Sequence, residues 1–385
     1  MKPPEGHTAN DASNAGRPAR QWLKPALRVL LLLALITFVL STETCQNRLF
    51  LFPSSTINKT PAEVGLKAEE VTFRNPAGKL LSGWYFQADK PIGAVVLNHG
   101  NSGNVGLYLD YARMLTQANV SLLLYDYQGF GKSEGSASIR SLTGDALAAF
   151  DYVASRGNAP GGIAVMGVSL GTPISCAVAA QRPAARGLIL EGAFLPKEEL
   201  FWHMGTLGWP VAVVVSNTMP QMHPEQVVKA LSGRPLLMIH GSVDRTTPVS
   251  GAAKLFECAR QPKWLWVMHA RGHFPEPAFY EGDQYQQVLA AFMRLAFLGE
   301  PFVQPRIDWA AKKLENGEWE VTVTLLEDEC NGPVSVVAIT DRNETAMRSL
   351  ARREDEPIKL YVPRQPIAVT VFAEPPVRTS KSVGK

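Results

Sequence analysis

One stretch constrains this chain more than any other: Gly162-Ile163-Ala164-Val165-Met166-Gly167-Val168-Ser169-Leu170-Gly171. An apolar run ends at a Gly-x-Ser-x-Gly pentad, and small helix-compatible residues follow from Thr172 to Ala180. The pattern predicts a buried strand, a sharp turn and a helix. In such a turn Ser169 takes a strained backbone conformation that lifts its hydroxyl clear of the sheet edge. Gly167 and Gly171 are required because side chains there would collide with the folded-back chain. Pro173 is tolerated because it falls in the first helical turn, where a missing N–H costs little.

The residues around this turn repeat the same grammar. Glu70 to Arg74 and Leu80 to Gln87, separated by Asn75-Pro76-Ala77-Gly78, read as a hairpin. Strands are then expected at Gly93 to Asn98, Ser121 to Tyr125, Gly187 to Glu191, Pro235 to His240 and Trp264 to Met268, with helical spacing between them. Alternation of strand and helix argues for an α/β fold, a mostly parallel twisted sheet with helices on both faces. Function in such sheets gathers at the carboxyl ends of the strands.

A serine hydroxyl is a poor nucleophile until a base takes its proton, and the base needs a third group to fix its tautomer. The acid expected is Asp244, carried past a strand end by the Gly241 turn; Glu191, ending the preceding strand, is the reserve. An isolated loop aspartate is more often a turn or capping residue, and its place just after a strand is what favours catalysis here. Asp126 opens a Gly-rich loop and is expected to order it by local hydrogen bonds. The base expected is His273, in the loop after the last apolar strand, whereas His269 lies nearly inside that strand and reads as structural. For the oxyanion, backbone N–H donors are expected from Leu170, at the start of the following helix, and from Asn101 in His99-Gly100-Asn101-Ser102-Gly103-Asn104. His99 braces that loop. The loop lacks the Gly-Lys-Ser/Thr ending of a phosphate-binding P-loop.

Four motifs in order, His99 to Asn104, Asp126 to Gly135, Gly167 to Gly171 and Gly241 to Asp244, resemble the α/β-hydrolase superfamily. They are most similar to its membrane-anchored branch, in which one N-terminal span precedes a hydrolase domain with little lid, and Asn47 to Ser54 fits that branch too. The resemblance covers about residues 47 to 298. It implies an α/β-hydrolase fold and an esterase, lipase or thioesterase type of activity, with some relatives peptidase-like. Many members carry a second Gly directly after the pentad, where this chain has Thr172.

Ahead of the hydrolase region, residues 1–21 are polar, basic at the end and expected to be disordered. Residues 22–46 hold an apolar run from Val29 to Leu40, short for a span by itself, but Leu23 to Thr42 reaches about 20 residues, the length of a span, if Lys24 and Arg28 snorkel. The basic flank is N-terminal, so the positive-inside rule places the catalytic domain outside the cytoplasm. The alternative is a signal segment cleaved near Val39-Leu40-Ser41, giving a secreted enzyme. Cys45, Cys176, Cys258 and Cys330 show no metal or CxxC spacing, and Cys176 and Cys258 read as small core residues.

Residues 47–300 are thus expected to form the hydrolase domain, with one short apolar insert from Ala193 to Gly233 beside a shallow, open site. Residues 301–385 change texture. Trp319 to Leu325, Val334 to Thr340, Ile358 to Val362 and Ile367 to Phe372 read as four strands of a small antiparallel appendage. Net charge is only +3 and no Lys/Arg stripe with interleaved aromatics occurs, so nucleic acid is not an expected partner. The expectation is a serine hydrolase acting on a small acyl ester or thioester, with no metal or organic cofactor. Two alternatives stand beside it: cleavage of short peptides, for which Glu198-Glu199 is the candidate acidic pair, and a non-catalytic binding protein that uses the appendage.

Overall fold

A computed structural model describes residues 18–196, 223–231, 233–274, 282–327, 333–350 and 357–373. Most of the apolar insert, the Glu198-Glu199 pair, Cys330, nearly all of the expected N-terminal tail and the tail from Pro375 lie outside the described residues.

Helix α1 (Pro18–Leu40) leads, through a bend of 70°, into α2 (Glu43–Phe50). No single helix among the described residues is long and apolar enough to cross a membrane; α1 and α2 meet that length and composition only as a bent pair. The side chains from Val29 to Leu33 are all exposed. By contrast α2 sits on the globular part. Gln46 is buried, and Glu43 accepts from the Ser138 hydroxyl at 2.6 Å. α2 is thus joined to the globular part by Glu43 and Gln46 ahead of residue 47 and by Phe50, which packs on the main core.

After a two-residue strand, β1 (Phe52–Pro53), come β2 (Glu69–Arg74), β3 (Leu80–Phe86), β4 (Gly93–Asn98), the short β5 (Ser102–Gly103), α3 (Leu109–Gln117) and β6 (Val120–Tyr125). Then follow α4 (Leu142–Arg156), β7 (Ile163–Val168), α5 (Gly171–Gln181), β8 (Ala185–Glu191), α6 (Pro224–Ala230), β9 (Leu236–Gly241), α7 (Val249–Cys258), β10 (Lys263–Met268) and α8 (Gly282–Leu298). The main sheet has eight strands in the order β10-β9-β8-β7-β4-β6-β3-β2. Pairings from β10 to β6 are parallel, and β3 and β2 join antiparallel, as the hairpin pattern predicts. β4, β6, β7 and β9 are buried throughout, which is why their sequences are continuous apolar runs rather than alternating ones. One face packs against α4, α5, α6 and α7, through residues such as Phe150, Ile174, Val228 and Leu255. The other packs against α3 and α8, through Tyr111, Leu115, Leu289 and Phe292.

The C-terminal part contains β11 (Arg306–Lys313), β12 (Trp319–Glu327), β13 (Val334–Thr340), β14 (Thr345–Leu350), β15 (Ile358–Val362) and β16 (Pro366–Ala373). They form two three-stranded antiparallel sheets, β11-β12-β15 and β14-β13-β16. Two strands exceed the expected four. β11 and β14 are edge strands with few buried side chains, so neither shows the alternation by which a strand is read. β13 is buried on both faces. Val336 and Ala338 join the core between the two small sheets, whereas Val337 and Ile339 join the core of the main sheet.

Candidate active site

The pentad folds as expected. Ser169 has φ of +52°, a left-handed conformation rare outside glycine. A β-carbon on Gly167 would run into the Gly171 carbonyl, and one on Gly171 into that of Asn98, so only glycine lets α5 fold back against β7 and β4. The Ser169 N–H donates to the Glu191 carbonyl at 2.8 Å, tying the turn to β8. Thr172, where many relatives have glycine, puts its hydroxyl on the Ser169 carbonyl at 2.8 Å and braces the turn from its helical side.

Three loops converge here. His273 Nε2 lies 2.9 Å from Ser169 Oγ, and its Nδ1 lies 2.6 Å from Asp244 Oδ2. Asp244 is acceptor-only when ionised, so Nδ1 carries the proton and Nε2 is free to accept from the serine hydroxyl. The other Asp244 oxygen accepts from the N–H groups of Thr246 and Thr247 at 2.8 and 2.9 Å, and the Thr247 hydroxyl adds a bond to Oδ2 at 2.9 Å. Burial pushes the Asp244 carboxyl up, but the hydrogen bond from His273, the nearby His240 and His273 rings and the Thr247 N–H outweigh it and hold the group below the ordinary range. Gly192, at φ +63°, lies flat against the His273 ring, where a β-carbon would approach Cε1 to 3.0 Å.

The reserve acid is engaged elsewhere. Glu191 is buried, and both Tyr111 and Tyr285 donate their hydroxyls to its Oε2. Burial, the largest influence, pushes its carboxyl up against those two donors. His240, also buried, has its Nε2 2.7 Å from the Thr247 carbonyl and underlies the acid loop. His269 is exposed in the turn beyond β10, not a structural histidine inside the strand; the strand ends one residue earlier, at Met268.

The loop after β4 lies over the elbow. A β-carbon on Gly100 would come within 3.6 Å of Ser169 Cβ. His99 Nδ1 bonds the Gly100 carbonyl at 2.7 Å, bracing the loop as expected, and Asp126 accepts the Val105 N–H at 2.9 Å. The backbone N–H groups of Asn101 and Leu170 have no acceptor among the described residues. Four residues of this neighbourhood escape sequence reasoning. Thr247 is signalled only by its Asp-x-x-Thr spacing, and Tyr108, Tyr111 and Tyr285 by nothing beyond helical periodicity.

The strand order and this arrangement are those of the α/β-hydrolase fold, an eight-stranded, mostly parallel sheet with helices on both faces. The family model described as Serine aminopeptidase, S33 matches residues 89–234. Among curated proteins, the YfhR protein of Escherichia coli O157:H7 is 28% identical over 242 residues, 59% of this chain and 80% of that one. The lysophosphatidylserine lipase ABHD12 of Danio rerio is 26% identical over 242 residues, 55% of this chain and 61% of that one. Among solved structures, the esterase Pf2001 of Pyrococcus furiosus superposes with a TM-score of 0.53 at 16% identity, covering 64% of this chain and 98% of the esterase.

Proposed function

We propose that the protein is a serine hydrolase of carboxylic esters or thioesters working through an acyl-enzyme. The observation that carries this reading is the single imidazole of His273, bonded at 2.9 Å to Ser169 Oγ and at 2.6 Å to Asp244 Oδ2. Ser169 Oγ attacks the acyl carbonyl as its proton passes to His273 Nε2. The oxyanion that forms is held by the N–H groups of Leu170 and Asn101. The C–O or C–S bond then breaks, and His273 gives its proton to the leaving alcohol or thiol. Water, activated by the same nitrogen, attacks the acyl-enzyme and releases the acid. Asp244 keeps the imidazole in the productive tautomer and stabilises its cation, while Thr247 fixes the carboxylate.

The exposed apolar side chains of α1 support an N-terminal membrane anchor, and the basic residues Lys24 and Arg28 ahead of them favour a catalytic domain outside the cytoplasm. The lipase relative supports acyl lipids among the substrates. Peptide hydrolysis is a second reading, favoured by the aminopeptidase family match and by the fact that such a triad also cleaves amides. The test is fluorophosphonate labelling of the full chain beside Ser169→Ala and His273→Ala, followed by p-nitrophenyl esters and aminoacyl amides. Labelling and ester turnover lost in both variants support the reading; turnover surviving in Ser169→Ala removes it, and amide turnover exceeding ester turnover favours the peptidase.

A further inference from the structure

The segment that joins the apolar helix to the globular part runs directly along the loop above the nucleophile. β1 and β5 pair in parallel, with Phe52 opposite Ser102 and Pro53 opposite Gly103. Asn101 is held twice: its carbonyl accepts the Phe52 N–H at 2.8 Å, and its side-chain Nδ2 donates to the Phe50 carbonyl at 3.0 Å. Beyond it, the Ser54 N–H donates to the Gly103 carbonyl at 3.0 Å, and Asn104 Nδ2 donates to the carbonyls of Ser54 at 3.1 Å and Thr56 at 2.8 Å. The same segment is fixed at its other end, since Leu51 is buried in the main core and the Asn47 side chain accepts the Ile139 N–H at 2.9 Å.

These bonds use the carbonyl and the side chain of Asn101 and leave its N–H without an acceptor among the described residues. The Asn101 N–H shares its peptide unit with the Gly100 carbonyl, which His99 Nδ1 meets at 2.7 Å, and the anchored carbonyl and side chain of Asn101 restrict rotation about its Cα on the other side, so the unit has little freedom to turn, as a preorganised oxyanion donor requires. We infer that Phe50 to Ser54 is a positioning element of the catalytic site: through the Phe52 N–H and the Phe50 carbonyl it sets the direction of the Asn101 N–H. The inference rests on the reading above, in which that N–H serves the oxyanion. It gives the stretch beyond the apolar helix a role in turnover as well as in attachment, and it ties the orientation of the donor to a short strand only two residues long.

The test compares Phe52→Pro with Phe52→Ala in the full chain. Both lose the ring, but only proline removes the N–H that bonds Asn101. Leu51 is already extended, at φ −117° and ψ 126°, as a residue before proline must be. With p-nitrophenyl butyrate, kcat of Phe52→Pro is expected at least about tenfold below that of Phe52→Ala, a fraction of the ~10²–10³ lost when an oxyanion donor is removed outright. KM is expected to stay within about threefold, since a donor used mainly in the transition state leaves substrate binding nearly unchanged. Labelling by a fluorophosphonate, whose phosphoryl oxygen uses the same donors, is expected to slow in parallel. Equal kcat in the two folded variants overturns the inference. If Phe52→Pro fails to fold, Asn101→Leu, which loses only the side-chain bond, decides: a lowered kcat with unchanged KM supports the inference, and wild-type kcat overturns it. Turnover in Ser169→Ala removes the underlying reading instead, so the two failures are told apart.

Discussion

The ring of Phe274 lies parallel to that of Tyr108, with 4.7 Å between centroids and 4° between planes. Phe274 follows His273 in the chain, and the Tyr108 hydroxyl accepts the Gly100 N–H at 2.9 Å. One buried ring, that of Tyr108, therefore touches both the loop that carries His273 and the loop above Ser169. Tyr108→Phe keeps the stack but leaves a buried N–H unpaired, a loss of ~1–3 kcal/mol. Denaturant unfolding is expected to show that loss together with a lower kcat. Wild-type values for both would mean that the contact positions nothing.

Glu191 ends β8 and Asp244 lies just beyond β9, and the hydrogen bonds of the two carboxylates differ. Asp244 meets His273 Nδ1, whereas Glu191 is occupied by two tyrosine hydroxyls. Asp244→Asn is expected to lower kcat by roughly 10⁴, because the amide favours the wrong imidazole tautomer. Glu191→Gln, which still offers an oxygen to Tyr111 and Tyr285, is expected to cost less than about tenfold. Steady-state kinetics of the two variants on one ester decides, and the reverse order would make Glu191 the working acid.

Ser169 is legible from its own pentad, whereas Asp244 ranks above Glu191 in the sequence only by its place just past a strand, and the difference has a physical cause. The elbow is local: its glycines, strand and helix are contiguous, so the chain spells out the turn. Asp244 and Glu191 each follow an apolar strand, and what separates them is contact with Tyr111, Tyr285 and His273, none of which is near in sequence. The same holds for Thr247. The clamp on Asn101 was illegible because its bonds come from main-chain groups of residues 50 to 54, which any sequence supplies. The apolar pattern did place the strands of the main sheet, since burial on both faces leaves no alternative to continuous apolar runs.

His99 and Asp126 are two neighbouring buried groups with opposite pH signatures. They are buried, with His99 Nε2 and Asp126 Oδ1 3.8 Å apart, too far for a hydrogen bond. Burial lowers the His99 pKa from 6.5 to about 4 and raises that of Asp126 from 3.8 to about 7. Between about pH 4 and 6.5 the unfolded chain holds a proton on the histidine that the native state lacks, so this contribution to stability rises with pH. Over the same window the native state holds a proton on Asp126 that the unfolded chain lacks, so that contribution falls. The two slopes oppose each other. Asp126→Asn removes only the falling one, so stability of the variant is expected to climb more steeply with pH than that of the wild type, by up to about 1.4 kcal/mol per pH unit. Denaturant melts at several pH values measure the difference, and parallel curves would mean that native Asp126 holds no extra proton in this window.

The C-terminal sheets raise a different question, whether they are a separable module or part of the hydrolase. β10 is the edge strand of the main sheet, and an uncovered edge invites aggregation. Here the edge is covered. The Thr370 hydroxyl donates to the Leu265 carbonyl at 2.7 Å, and Phe372 stacks on Trp266 at 5.3 Å and 12°. The turn after β13 adds Asn343, whose side-chain oxygen accepts the Ser250 N–H at 3.0 Å in the first turn of α7. That helix follows the loop bearing Asp244, so the cover reaches to within a few residues of that side chain. Phe372→Ala is expected to cost ~3–5 kcal/mol, as for a fully packed core phenylalanine. Ending the chain at residue 300 should do more, exposing Trp266 and the β10 edge together and yielding a protein that aggregates or melts well below the full chain. A truncated chain that stays monomeric, melts with the full chain and keeps its esterase activity would show that the sheets are an attachment; loss of all three would make them a structural half of one hydrophobic core.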